Sequence, residues 1–197
     1  MKTKISVITG DLVNSRGVDT PHYIKQLTSL LDALQQAKLI QQFEIFRGDA
    51  FQAICQPEHG LILAVYLRTA LKAHNAAQWD ARIAIGLGSR KAKSGYGSAF
   101  LNSGNAMDQM TKNCRLALKI NHSRTDAIVS DLLPMLDHVL SRLSQTEAQI
   151  VQARMFADTN AQVALKLQKA ASTISATLKR AAYEEIMQFI EAINRII

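Results

Sequence analysis

The sequence predicts an α+β sandwich followed by a small all-helical unit. Between residues 4 and 130, short apolar runs and helical periodicities alternate in the order βαββαβαβ. After residue 131 the chain has no glycine, and only helical spacing remains. We therefore assign residues 1–135 to an α+β domain and residues 136–197 to a helical domain. The order of elements predicts helices on one face of a mainly antiparallel sheet.

Each element has its own local signal. Thr20 and Pro21 supply a helix N-cap and a first-turn proline, and Gly48-Asp49 supplies a tight turn between two strands. Leucines or isoleucines at three- and four-residue spacing mark the helices, and isoleucine-rich runs mark the strands. The predicted elements are strand 4–8, helix 20–38, strands 43–47 and 50–55, helix 58–74, strand 81–87, helix 103–119 and strand 126–130.

Composition indicates a cytoplasmic protein. No apolar run reaches the about 20 residues of a membrane span, and the two cysteines, Cys55 and Cys114, have no Cys-x-x-Cys spacing. Such usage favours a reducing compartment without disulfides. The five histidines form no i,i+4 pair and no cluster with cysteine, so the sequence predicts no zinc site of the common kinds.

The positive charge is concentrated in one segment. Residues 82–124 hold eight basic residues and one acid, Asp108, which is a surplus of seven and equals the net charge of +7 of the whole chain. Such a field favours a polyanionic partner, either a nucleotide phosphate or a nucleic acid. A solvated basic surface without a ligand is the alternative interpretation.

Two aspartates are candidates for a shared metal site. Asp11 ends the first strand and Asp49 lies in the hairpin, so a central first strand would bring them to neighbouring strand ends. Magnesium prefers oxygen ligands, commonly one or two carboxylates with substrate phosphates. We therefore predict that Asp11 and Asp49 bind Mg²⁺ or Mn²⁺. Two such ions support phosphoryl or nucleotidyl transfer.

The motifs ITGDL, IFRGDAFQAI, ARIAIGLG and SGNAMDQM, in this order, resemble those of the class III nucleotidyl cyclase fold, which has a ferredoxin-like core. With the C-terminal helices they resemble the SatD family, a bacterial group. The resemblance implies that Asp11 and Asp49 are metal ligands and that a phosphate or nucleotide contacts the residues around them. For Arg16 and Arg47, structural pairing is an equal alternative, and for the loop after Gly88, a plain basic hairpin is. The implied contact residues are Asn14, Ser15, Arg16, Arg47, Gly48, Arg90, Lys91, Lys93, Asp108 and Lys112.

Two of these positions depart from the active cyclase pattern. Active members carry an Asn and, four residues later, an Arg, where this chain has Asp108 and Lys112. Lysine lacks the planar fork of arginine, and aspartate lacks the amide donor. The departures favour nucleotide binding over catalysis.

The segment 163–181 predicts a helix-turn-helix, because two short helical faces are joined by a brief turn. Residues 170–181, AASTISATLKRA, resemble the second helix of bacterial regulators. Gln168 stands where a glycine with positive φ is usual, at a cost of roughly 1 kcal/mol. The predicted DNA-binding residues are Lys169, Ser172, Thr173, Ser175, Thr177, Lys179 and Arg180. A dimerisation module is the alternative, since residues 135–197 carry seven bases and six acids.

Three hypotheses follow. The leading one is a bacterial regulator that binds DNA through its helix-turn-helix and forms a homodimer. Its first domain binds a nucleotide or similar anion with a divalent metal. The second is an active metal-dependent nucleotidyl or phosphoryl transferase. The third is a scaffold that binds neither ligand. The apolar stripe of residues 186–197 is expected to pack on a partner chain or on the first domain.

Overall fold

A computed structural model describes residues 3–13, 20–46, 49–74, 79–90 and 97–197. Within these ranges the chain is an α+β protein with a five-stranded mixed sheet and eight α-helices. The strand order is β2-β3-β1-β4-β5, in which the first three neighbouring pairs are antiparallel and β4 with β5 is parallel. The strands are β1 (Thr3–Leu12), β2 (Ile40–Phe46), β3 (Ala50–Cys55), β4 (Ala81–Arg90) and β5 (Leu116–Lys119).

The helices continue past the sheet to the C-terminus. None of them, in the part of the chain that is described, is long and apolar enough to cross a membrane. They are α1 (Thr20–Gln36), α2 (Gly60–His74), α3 (Ser98–Gln109), α4 (Ser123–Arg142), α5 (Gln145–Met155), α6 (Asn160–Leu167), α7 (Ala171–Arg180) and α8 (Tyr183–Ile196), with a short 3₁₀ turn at Pro57–His59 before α2.

The sheet is covered on both faces, so the prediction of helices on one face was wrong. Ile5 and Val7 of β1 pack with Ala99 of α3, whereas Ile8 belongs to the larger core with Leu27 of α1 and other apolar residues of α2. Successive strand residues point to opposite faces, and β1 is apolar on both. A strand of this kind requires a cover on each side.

Glycines in β4 allow α3 to lie close to the sheet. A Cβ at Gly86 would collide with the carbonyl oxygen of Ala99 and the amide of Ser103, and one at Gly88 would collide with Ser98. Backbone approach of this kind is a common reason for glycine inside a strand. Close packing against α3 therefore accounts for Gly86 and Gly88.

Two predicted elements were wrong. The expected helix 103–119 ends at Gln109, and β5 lies within it at Leu116–Lys119. Residues 126–130, predicted as a strand, form part of α4. His122 caps this helix, because its ring nitrogen accepts a hydrogen bond from the amide of Thr125.

The ends of the C-terminal helices have local capping interactions. Ser144 and Glu147 form the capping box of α5, and Thr159 caps α6. Gln168, in the turn between α6 and α7, has φ 51° and ψ 45°, the left-handed conformation expected there.

The helical unit shares its core with the α+β unit. Almost every residue of α2 is buried, and α2 lies between the sheet and α5. In α8, Ile186, Ile190 and Ile193 are buried in the same core, and the side-chain amide of Asn194 donates to the carbonyl of Glu58 at 3.0 Å. The apolar stripe of the tail therefore packs on the first domain, one of the two expected alternatives.

Candidate functional site

Asp11 and Asp49 lie at neighbouring strand ends. β1 and β3 pair so that Asp11 is opposite Ala50, the residue that follows Asp49. The amide of Leu12 donates a hydrogen bond of 3.0 Å to the main-chain carbonyl of Asp49. The two carboxylates interact electrostatically, since the charge of Asp49 helps to raise the pKa of Asp11. The central position of β1 produces this arrangement.

Arg82 connects Asp11 to the end of α3. It is opposite Asp11 on β4, and its guanidinium Nη1 lies 3.5 Å from the carboxylate. Its Nη2 also donates to the carbonyls of Met107 and Met110, at 3.5 and 3.2 Å. Carbonyls at a helix C-terminus lack intrahelical partners and carry partial negative charge. The guanidinium is thus shared among several acceptors.

The hydrogen bonding of the Asp11 carboxylate is incomplete. Its side chain is 36% exposed, yet Oδ1 is buried and has no hydrogen-bond partner among the described residues. Burial raises the pKa of Asp11, Arg82 lowers it less, and Asp49 raises it further. The hydroxyl of Tyr23 in α1 is also buried, and no described residue gives it a hydrogen bond. Burial raises the pKa of Tyr23 most, and the charges of Asp11 and Asp49 raise it further.

Asp108 and Lys112 lie at the same end of the sheet. Asp108 is exposed in the last turn of α3, two residues before Met110, which contacts Arg82. Lys112 is exposed beyond the end of the helix. The family pattern implied that the two residues occupy successive turns of one helix. In the structure they do not, because α3 ends between them.

Arg90 is at the opposite end. It pairs with Thr3, eight residues along β1 from Asp11, which is roughly 26 Å at 3.3 Å per residue. Its guanidinium donates to the side chain of Gln42 at 3.1 Å. Arg90 therefore does not share a site with the aspartates. Seven other predicted contacts lie outside the described residues: Asn14, Ser15, Arg16, Arg47, Gly48, Lys91 and Lys93.

A buried ion cluster begins two residues from Arg82. The guanidinium of Arg68, fully buried in α2, makes two hydrogen bonds of 2.9 Å to Asp80 and one of 2.7 Å to Asp137 of α4. Arg115 donates to Asp80 at 2.8 Å through Nη1, and its amide donates to Asp137 at 2.8 Å. Ser141 completes the cluster. Two residues of the basic segment, Arg82 and Arg115, are thus used in internal ion pairs.

The surface of α7 carries most of the predicted DNA contacts. Ser172, Thr173 and Lys179 are exposed, as is Lys169 in the preceding turn. No acidic residue occurs between positions 159 and 183, which hold four basic residues. This surface is polar and positive.

The other three predicted contacts of α7 are either buried or bonded to neighbouring residues of the protein. Thr177 is 2% exposed, so the expectation that it lies on the outer face was wrong. Ser175 accepts a hydrogen bond of 3.1 Å from Asn160 of α6. Arg180, although 62% exposed, lies 3.5 Å from Glu147 and donates to Thr177.

Sequence reasoning missed Arg82 and Tyr23 as neighbours of the aspartates. Arg82 was counted only as part of the basic segment, although it lies in the predicted strand ARIAIGL. The pairing of that strand with β1 is seen only in the structure. The donors at the site are all oxygens, which suits Mg²⁺ or Mn²⁺. Among the described residues, no three His, Cys, Asp or Glu side chains come together. Water and phosphate oxygens would therefore complete the coordination.

Comparison with known proteins adds no family assignment: no family model and no curated protein matches this chain. The resemblances to the class III cyclase fold and to the SatD family stay predictions. What the structure defines is a mixed-sheet α+β protein with a carboxylate pair at one end of the sheet and a C-terminal helical unit in which a turn at Gln168 joins the short helices α6 and α7.

Proposed function

We propose that the protein is a bacterial regulator that binds DNA through α6 and α7. The observation that carries the proposal is the exposed, acid-free surface of Lys169, Ser172, Thr173 and Lys179 on a helix-turn-helix. Lysines bind phosphates, and small hydroxyl side chains reach base edges in the major groove. The left-handed turn at Gln168 sets the crossing of the two helices. A homodimer would place two such helices on paired half-sites.

The test compares two double variants with the same change of charge. Lys169→Gln with Lys179→Gln removes two positive charges from this surface, and Lys4→Gln with Lys38→Gln removes two exposed lysines elsewhere. Binding to genomic DNA fragments is measured against salt concentration. The first variant should lose about 0.9 in the salt slope for each phosphate contact removed. Equal slopes for the two variants would contradict the proposal.

We also propose that Asp11 and Asp49 bind Mg²⁺ or Mn²⁺ together with the phosphates of a nucleotide or similar anion. The buried, unpartnered Oδ1 of Asp11 and the raised pKa of this carboxyl support it, because a cation supplies the missing partner. The cyclase-like interpretation of the fold draws support from the strand order, in which β1 is central beside the β2–β3 hairpin and β4. The metal, when bound, neutralises phosphate charge. Asp11 and Asp49 would hold the metal, and Arg82, 3.5 Å from Asp11, would orient that carboxylate.

Thermal denaturation with ATP or GTP, with and without Mn²⁺, tests this half. A ligand that binds only the folded state raises the melting temperature. The metal-dependent rise should disappear in Asp11→Asn and in Asp49→Asn and persist in Asp131→Asn, which changes an exposed aspartate of α4. A rise that persists in both site variants would show that the ligand binds elsewhere.

The rival function is an active nucleotidyl or phosphoryl transferase with the C-terminal unit used for assembly. The carboxylate pair favours it, whereas the separation of Asp108 and Lys112 by the end of α3 does not. Incubation with ATP or GTP and manganese separates the two. A cyclic product that is lost in Asp49→Asn would make the protein an enzyme.

A further inference from the structure

Two histidines meet between the start of α1 and the end of α2. The Nε2 atoms of His22 and His74 are 3.2 Å apart, although the residues are 52 positions apart in the chain. Both side chains are exposed. Because only tertiary packing brings them together, the pair cannot be recognised from the spacing of histidines along the chain.

The separation matches that of two ligands of one metal ion. Imidazole nitrogen lies about 2.0–2.1 Å from Zn²⁺, so two nitrogens 3.2 Å apart subtend an angle of about 100° at the ion. This value is close to that of tetrahedral coordination. The ion would lie off the line between the nitrogens, and exposed side chains can turn to allow this.

The surroundings are mixed in charge. His74 is in the last turn of α2, where the helix C-terminus favours a cation. Lys25 lines the same open groove of about 570 Å³, and its positive charge disfavours a cation there. No third His, Cys, Asp or Glu from the described residues completes a cluster. Two protein ligands, with water in the remaining positions, make a site of modest affinity.

We propose that His22 and His74 form a two-histidine site for a borderline divalent ion of the Zn²⁺, Ni²⁺ or Cu²⁺ class. Neutral imidazole prefers these ions over Mg²⁺, so the site is chemically distinct from the oxygen donors of Asp11 and Asp49. The open positions would let the ion hold an exchangeable ligand. Without metal, one ring donates its Nε2 proton to the other. When both Nε2 atoms bind the ion, the donor ring would carry that proton on Nδ1 instead.

The chain carries its own reporter for this site. Trp79 is the only tryptophan, and its ring centroid is 5.4 Å from that of His22 and 5.5 Å from that of His74. A Cu²⁺ or Ni²⁺ ion on the histidines would lie close enough to quench its fluorescence. Protein free of a histidine tag is titrated with CuCl₂ or NiCl₂ at pH 7.5.

The expected result is saturable quenching at one equivalent. His22→Gln and His74→Gln should each weaken binding at least about tenfold. His138→Gln, which removes an exposed histidine from α4, should bind like the parent chain. Absence of saturable quenching in the parent chain would overturn the proposal. Quenching in His22→Gln and His74→Gln equal to that of the parent chain would also overturn the proposal. Circular dichroism checks that both variants are folded.

Discussion

Two groups of charged residues lie near the start of β4, where Asp80 belongs to one group and Arg82 to the other, and they are built differently. Around Arg68, every carboxylate is buried and takes hydrogen bonds from several donors, so that Asp80 has contacts to Arg68 and Arg115 as well as to the amide of Ala81. Among the described residues, Asp11 has one ion pair, with Arg82 at 3.5 Å, and its Oδ1 is buried without a hydrogen-bond partner.

The difference separates a structural role from a binding role. A buried charge is tolerated when its hydrogen bonds are complete, and the Arg68 cluster is complete without any ligand. The Asp11 pair is incomplete, and incompleteness of this kind is common where a site receives its partner from outside. The pKa values agree. Burial alone would raise the pKa of Asp80, but Arg68, Arg115 and Lys72 lower it overall, whereas burial prevails at Asp11.

The largest effect should come from removal of Arg68. Arg68→Met leaves Asp80 and Asp137 buried without their shared cation, and breaking such a pair costs about 3–5 kcal/mol in the free energy of unfolding. Urea denaturation measures it. The control, Arg142→Met, changes an exposed arginine of α4 and should stay within about 0.5 kcal/mol of the parent chain. A loss below that of the control would mean that the cluster is not a structural one.

A smaller loss is expected from Arg115→Gln. This change removes one of the charged donors to Asp80 and keeps Arg68, so it should cost about 1.5 kcal/mol. Its side chain is 31% exposed, and water replaces part of the contact. Urea denaturation in the same buffer allows direct comparison. A loss as large as that of Arg68→Met would show that the three contacts to Asp80 act as one unit.

Arg82→Gln should cost less than about 1 kcal/mol, the usual range for an exposed ion pair. Its effect should appear in the titration of Asp11 instead. The pKa of Asp11 should rise further, because Arg82 is the group that lowers it. Carbon-detected NMR of the aspartate side chains measures this shift. An unchanged titration of Asp11 would break the link between the two residues.

The smallest change in stability is expected from Asp11→Asn, and its sign is opposite. The raised pKa means that the folded state binds a proton more tightly than the unfolded state, so ionisation of Asp11 lowers stability as the pH rises through the raised pKa. The variant should therefore be slightly more stable than the parent chain at pH 7 and equal to it below about pH 4.

Asp80→Asn supplies the contrast in the same pH series. A lowered pKa contributes stability above the ordinary value, and the contribution is lost as the pH falls through the folded pKa. The loss in this variant should be large at pH 7 and should shrink in acid. If both variants showed the same pH dependence, the distinction between the two charge groups would fail.

The sequence predicted the sheet up to β4 well, because alternation and turn residues are local signals. Residues 126–130 were mistaken for a strand, since a short apolar run fits either element by periodicity alone. Capping by His122 and bonds from the amides of Ile120 and His122 to Asp126 decide for a helix. β5 is only four residues long, and its pairing with β4 is a tertiary contact.

The site was predictable in part. Chain order and a central first strand were enough to predict that Asp11 and Asp49 are neighbours. The position of Arg90 was not predictable in this way, because β4 is long and Arg90, its last residue, pairs with Thr3 at the far end of the sheet. The Arg68 cluster left one trace: an arginine on the apolar stripe of a helix, which a surface residue would not occupy. Its partners come from three distant segments, and no local pattern names them.

The burial of α2 on all sides has a consequence for the history of the chain. A gene fusion that kept residues 1–135 and exchanged the rest would leave one flank of α2 in water and Arg68 without Asp137. Such a hybrid would aggregate unless the new segment matched that flank. We therefore expect the two halves to be inherited as a pair rather than shuffled among unrelated carriers.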